Sequence, residues 1–77
     1  MTLNTSVMLQ QGSSGDEVLK LQNMLTTLGF YIGNKTGNFG ALTADAVTAY
    51  QKSKGLTADG IAGKRTLAAI NRSEERR

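Results

Sequence analysis

Three times in this chain a glycine is followed three residues later by a second glycine and, three further on, by valine or threonine. The instances are Gly12/Gly15/Val18, Gly37/Gly40/Thr43 and Gly60/Gly63/Thr66. Glycine serves where a backbone must turn with positive φ or approach a neighbour closely, and each instance precedes a segment of helical pattern. The unit therefore reads as turn, then helix, repeated. Two copies match further: Val18-x-x-Leu21-Gln22 recurs as Val47-x-x-Tyr50-Gln51 at an offset of 29 residues. Gln22 stands 15 residues before Gly37 but Gln51 only 9 before Gly60, so the first connection carries an insertion, placed around Ile32 to Asn38.

The apolar spacing predicts the helices. Ser14 and Glu17 have the spacing of a capping box, and Val18, Leu21, Leu25 and Leu28 make one face of a helix that begins after Ser14. Gly29 stands where a left-handed C-terminal cap is expected, with Phe30 placed to fold back on the last turn. A second helix is expected to start between Gly40 and Thr43, to carry Ala46, Val47, Ala49 and Tyr50, and to end at Gly55, where Leu56 repeats the part of Phe30. A third runs from about Gly63 through Leu67 and Ile70. No useful strand alternation occurs, so the expected fold is all-α: a three-helix bundle of two imperfect repeats with glycine-rich turns before each helix. Ile32, Phe39 and Ile61 are expected to tuck inward from the loops. The expected boundaries are residues 1–8 as an N-terminal extension, 9–71 as the domain, and 72–77 as a charged tail or linker.

Composition narrows the chemistry. Seventy-seven residues suit one small domain, and without cysteine its fold must rest on packing alone. The longest apolar runs are far too short to span a bilayer, and the N-terminus lacks the pattern of a secretory signal. The net charge of +3 falls to about +2 on residues 1–71, with basic residues spread along the chain, which argues against nucleic acid as a partner. With no histidine, no cysteine and six acidic residues scattered over helix starts, turns and tail, there is neither a nucleophile with its base nor a metal-ligand set. No catalytic residue, metal or cofactor is expected.

The ordered blocks themselves resemble a known family. From Leu9 the chain reads Leu-x-x-Gly-x-x-Gly-x-x-Val-x-x-Leu-Gln-x-x-Leu. There follow Leu28-Gly29-Phe30-Tyr31, Gly37-Asn38-Phe39-Gly40-x-x-Thr43, Ala46-Val47-x-x-Tyr50-Gln51, Gly55-Leu56 and Asp59-Gly60-Ile61-x-Gly63-x-x-Thr66. Over residues 9 to 70 this resembles the peptidoglycan-binding domain found in many wall hydrolases and phage endolysins. One departure is Thr36-Gly37 where the family usually has Asp-Gly; Thr36 can still cap a turn.

The resemblance implies a non-catalytic module with a shallow groove for wall glycan or stem peptide, monomeric and joined to a catalytic domain in a larger protein. It would act at the bacterial wall, delivered by lysis or by a carrier since no signal is evident, with no membrane or nucleic-acid partner. Candidate ligand contacts are Tyr31, Asn34, Lys35 and Asn38 in the inserted loop, with Tyr50, Gln51, Asp59 and Arg65. Tyrosine faces are suited to sugar rings and a basic side chain to a carboxylate. Capping and core roles compete for several of these: Asp59 for its own turn, Tyr50 for the core, Gln51 for a loop carbonyl. The fold also resembles metalloproteinase prodomains, whose inhibitory cysteine has no counterpart here. A protein-interaction module on the same fold is the alternative.

Overall fold

A computed structural model of the chain describes residues 2–31 and 33–75, with the side chains of Glu74 and Glu75 outside the description. It contains α1 (Asp16–Thr27), α2 (Ala41–Ser53) and α3 (Lys64–Glu75), and among the described residues no strand beyond two isolated bridges. Helix α1 packs against both others. The faces foreseen from spacing meet in one core: Val18, Leu21 and Leu25 from α1, Ala46, Val47 and Tyr50 from α2, and Leu67 and Ile70 from α3. Met24, between Leu21 and Leu25, joins them, whereas Ala49 faces solvent. Truncating a fully buried leucine such as Leu25 to alanine would cost roughly 2–5 kcal/mol, a large share of the stability of so small a domain.

Both repeats stop their helix by the same device. Gly29 and Gly55 take φ of 89° and 70°, a region that side chains with a Cβ seldom enter. In α1 the Phe30 N–H reaches the Leu25 carbonyl at 2.8 Å and the Gly29 N–H that of Thr26 at 3.0 Å. In α2 the Leu56 N–H reaches Gln51 at 2.9 Å and Gly55 reaches Lys52 at 3.3 Å. This paired pattern satisfies the last helical carbonyls and throws the following apolar residue back onto the bundle. Phe30 accordingly lies edge-on to the Tyr50 ring, centroids 5.4 Å apart.

All three helices start where expected, but α1 is capped differently. α1 is capped by Gly15 without a side-chain hydrogen bond, so the Ser14–Glu17 capping box does not form. Glu17 instead accepts the Asn4 N–H at 3.1 Å and pairs with Lys20 at 3.2 Å, because residues 2–8 pass over this end of the helix. That segment is packed rather than loose: Leu3 is 2% exposed, and its backbone is clasped by Asn71 through two bonds of 2.8 and 3.0 Å. At the other end α3 continues through residues read as a charged tail, and the Tyr50 hydroxyl lies 2.8 Å from Ser73 Oγ. Residues 76 and 77 fall outside the description, as does Ile32, one of the three loop residues expected to face inward. Of the other two, Phe39 is buried and Ile61 only half-buried. Their positions are not equivalent. Phe39 corresponds to Ala62, and each pairs its backbone with the N-terminal segment, Phe39 with Gly12 and Ser13 and Ala62 with Leu9.

Candidate functional site

The two turns that precede α2 and α3 are each locked by one glutamine. Gln22, fully buried on α1, accepts the Gly37 N–H at 2.9 Å and directs its amide nitrogen to the Asn38 carbonyl and Thr43 Oγ1, both at 3.0 Å. Gln51, 1% exposed on α2, accepts the Gly60 N–H at 3.0 Å and directs its nitrogen to the Ile61 carbonyl at 2.9 Å and Thr66 Oγ1 at 3.0 Å. A side-chain amide carries one acceptor and two donors, so it can satisfy both polarities of a turn backbone that the core would otherwise strand. Thr36 and Asp59 occupy equivalent places, each accepting from the N–H two residues on: Asn38 to Thr36 Oγ1 at 3.1 Å, Ile61 to Asp59 Oδ1 at 3.0 Å. The replacement of aspartate by threonine in the first turn thus keeps the local bond. Asp59 also accepts from Gln51 Nε2 at 3.0 Å. These two hydrogen bonds, the Ile61 amide first, hold its carboxyl below the ordinary aspartate value.

Beside each locked turn lies a solvent-open cleft at the start of a helix. The first, about 400 Å³, is lined by Tyr31, Asn34, Thr36 and Asn38 on the loop side and by Gly40 and the first turn of α2, Ala41 to Thr43. The second, about 350 Å³, is lined by Gln51, Gly55, Leu56, Thr57 and Asp59 and by Gly63 to Thr66 at the start of α3. A third and larger cleft, about 640 Å³, opens between the ends of the helices among Leu28, Phe30, Lys54, Leu56, Ala69 and Arg72, beside Tyr50 and Ser73.

The eight residues singled out from sequence do not form one site. Tyr31, Asn34 and Asn38 come together at the first cleft, and Gln51, Asp59 and Arg65 at the second. Lys35 is exposed in the inserted loop but lines neither. Tyr50 is 0% exposed, its face covered by Phe30 and its hydroxyl held by Ser73, which leaves no ring surface for a sugar. Gln51 is spent on its turn. Tyr31 is largely buried, with its hydroxyl donating to the Asn34 carbonyl, so the loop's exposed amides carry the polar surface there. Residues that sequence reasoning missed are Leu42, an exposed apolar wall of the first cleft, and the basic group Lys54, Lys64 and Arg72 around Leu56. A faint signal existed for the last: Arg65, Ala68 and Arg72 follow the spacing of one helix face.

The described carboxylates do no paired work. Glu17 and Asp59 are committed to backbone N–H groups, Asp16 and Asp45 stand exposed on separate helices, and no metal-binding cluster occurs among the described residues.

Residues 14–70, which contain both locked turns and all but the end of the bundle, match the family model described as a putative peptidoglycan binding domain. The chain belongs to this peptidoglycan-binding family. It is 48% identical over 56 residues to the N-acetylmuramoyl-L-alanine amidase CwlM of Mycobacterium tuberculosis, a match covering 73% of this chain and 14% of that protein. To a spore cortex-lytic enzyme of Bacillus cereus it is 43% identical over 58 residues, covering 75% of this chain and 22% of the enzyme. The chain therefore spans under a quarter of the length of these relatives. Among solved structures, the SleB N-terminal domain superposes with a TM-score of 0.88 at 35% identity, covering 94% of this chain and 97% of that one. The Burkholderia AP3 phage endolysin gives 0.79 at 38% identity over 83% of this chain and 24% of its own. Membership confirms the all-α three-helix architecture and peptidoglycan binding as the family's role.

Proposed function

We propose that this chain is a non-catalytic anchor that binds bacterial peptidoglycan and concentrates a covalently linked wall-acting domain on its substrate. The observation that supports it best is the match of the whole locked-turn framework, residues 14–70, to a peptidoglycan-binding family whose members include far longer N-acetylmuramoyl-L-alanine amidases and spore cortex-lytic enzymes. The committed or isolated carboxylates support an anchoring rather than a hydrolytic role. Contacts to the wall are assigned to the cleft of Tyr31, Asn34 and Asn38 with neighbouring Lys35, and to the cleft of Asp59 and Arg65. Loops held by a rigid scaffold commonly carry binding residues. No helix of the described residues is long and apolar enough to cross a membrane.

Tethering to an immobile polymer makes later encounters effectively intramolecular, so even modest affinity suffices. The test is co-sedimentation of the chain with protein-free peptidoglycan sacculi at low and high salt, because salt screens diffuse charge attraction but not close-fitting contacts. Retention at high salt is expected. Loss of all binding in salt, or retention only by a protein partner, would refute the anchor and favour a protein-docking module. Fusion to a lytic domain should raise its activity on intact wall and leave soluble fragments unaffected.

A further inference from the structure

Three of the clefts are one surface. Leu56 borders the large cleft, the cleft at the start of α3 and a third hollow of about 430 Å³ lined by Lys64, Arg65, Ala68 and Arg72. The resulting trough follows α3 from its first turn to Arg72, with Leu56 at its centre. Among the described residues four basic side chains border it: Lys54, Lys64, Arg65 and Arg72. Among the described side chains the one acidic residue lining these three hollows is Asp59, whose carboxylate is already held by the Ile61 amide and Gln51. Among the described residues the one ion pair is Lys20–Glu17, on the other repeat, so Lys54, Lys64 and Arg65 meet no described carboxylate. The floor between the cations is apolar, made of Leu28, Phe30, Leu56, Ala68 and Ala69.

We infer that this trough takes the peptide part of the wall polymer, reading free carboxylates of a short, extended stem peptide, while the sugars lie outside it. The inference rests on the wall-binding reading above and names the portion of the polymer recognised. Arg65 and Arg72 are seven residues apart on one helix face, a rise of about 10 Å, which about three residues of extended peptide also span. Two carboxylates of one peptide thus reach both guanidinium groups, each pairing by two parallel hydrogen bonds. Small aliphatic side chains between them settle on Leu56 and Ala68. A poly(phosphodiester) matches the charge but leaves this apolar floor without a partner, and a neutral sugar leaves the cations without one. The start of α3 adds its positive dipole end at the Lys64 side.

The test is a titration of the full chain, followed by amide chemical shifts, with four probes. These are a synthetic tetrapeptide stem with free carboxylates, the same peptide fully amidated, the peptide-free disaccharide of the glycan, and a short poly(glycerol phosphate). The free peptide should bind and shift amides of Leu56, Ala68 and Arg72, and the amidated form should bind about tenfold or more weakly, as expected for loss of charge-assisted hydrogen bonds. Arg72→Gln, which keeps an aliphatic stem on an exposed site, should weaken the free peptide similarly, and Lys52→Gln, on the exposed face of α2, should not. Retained shift dispersion in Arg72→Gln separates lost binding from lost fold. Equal binding of free and amidated peptide, or preference for the disaccharide or the poly(glycerol phosphate), overturns the inference. If sacculi are bound but the peptide is not, the trough assignment fails and the anchor stands; if sacculi are not bound either, both fail.

Discussion

Replacing Gln51 with leucine tests the claim that one buried amide holds the second turn. The substitution conserves bulk and removes every polar atom. Gly60 N–H, itself buried, loses its acceptor at 3.0 Å, and the Ile61 carbonyl and Thr66 Oγ1 lose their donor at 2.9 and 3.0 Å. The amide has only two hydrogens for its three acceptors, so about three hydrogen bonds are at stake, each worth about 1 kcal/mol net. The stranded Gly60 N–H adds about 1–2 kcal/mol, for a total of about 4–5 kcal/mol. For a domain of this size each kcal/mol lowers Tm by about 4–8 °C, so the variant should be largely unfolded at 37 °C. Gln51→Glu sharpens the reasoning. It keeps an acceptor for Gly60 but sets a second carboxylate oxygen against Asp59 and the Ile61 carbonyl, so its folded-state pKa must rise. A raised folded pKa means that the protein is most stable below the unfolded carboxyl pKa and loses stability as pH rises through the folded one. Urea denaturation between pH 3 and pH 8 measures both variants. A loss below about 1 kcal/mol for Gln51→Leu, or a Gln51→Glu protein whose stability does not fall with rising pH, would refute the lock.

Three further outcomes are expected. Glu17 has a folded pKa lowered first by the Asn4 N–H and then by Lys20, so its contribution is present above the ordinary glutamate range and disappears as pH falls through the folded value. Faster hydrogen exchange of the Asn4 amide on acidification, beyond the intrinsic rate change, and in Glu17→Gln at neutral pH, checks it. Gly55→Ala meets no atom within 4 Å but must hold φ of 70°, so it should cost about 1 kcal/mol by urea denaturation, and Gly55→Asn less. Tyr50→Phe should cost about 1 kcal/mol and should loosen the last turn of α3, seen as reduced amide protection after Arg72, because the Ser73 hydroxyl loses its partner.

What could be read from the residues was what local rules determine. The α1 and α2 faces and their glycine stops follow from apolar spacing and from the recurrence of Gly29-Phe30 as Gly55-Leu56. What failed depended on distant partners. Ser14 and Glu17 have the spacing of a capping box, but Glu17 is taken by Asn4, thirteen residues earlier. Arg72 to Glu75 lack apolar anchors, yet the Tyr50 hydroxyl holds Ser73 from 23 residues away. The glutamines were ambiguous because an amide beside an apolar position suits a groove or a carbonyl equally. Their common distance rules to Gly37/Thr43 and Gly60/Thr66 become legible only once the turns are seen folded back. The basic trough drew on Lys54 from one end of α2 and on α3 from both of its ends, so no window of sequence contained it.

The clasp between Leu3 and Asn71 also governs how such a module can be joined to other proteins. It holds the beginning of the described chain, at Leu3, against the last helix, at Asn71. A unit with neighbouring ends can be spliced into a surface loop of a host as readily as it can be appended, without stretching the host across its diameter. Cutting the clasp with Asn71→Ala would remove both bonds to the Leu3 backbone and leave the segment held by the buried Leu3 side chain, by the Asn4–Glu17 bond and by the Leu9–Ala62 pairing.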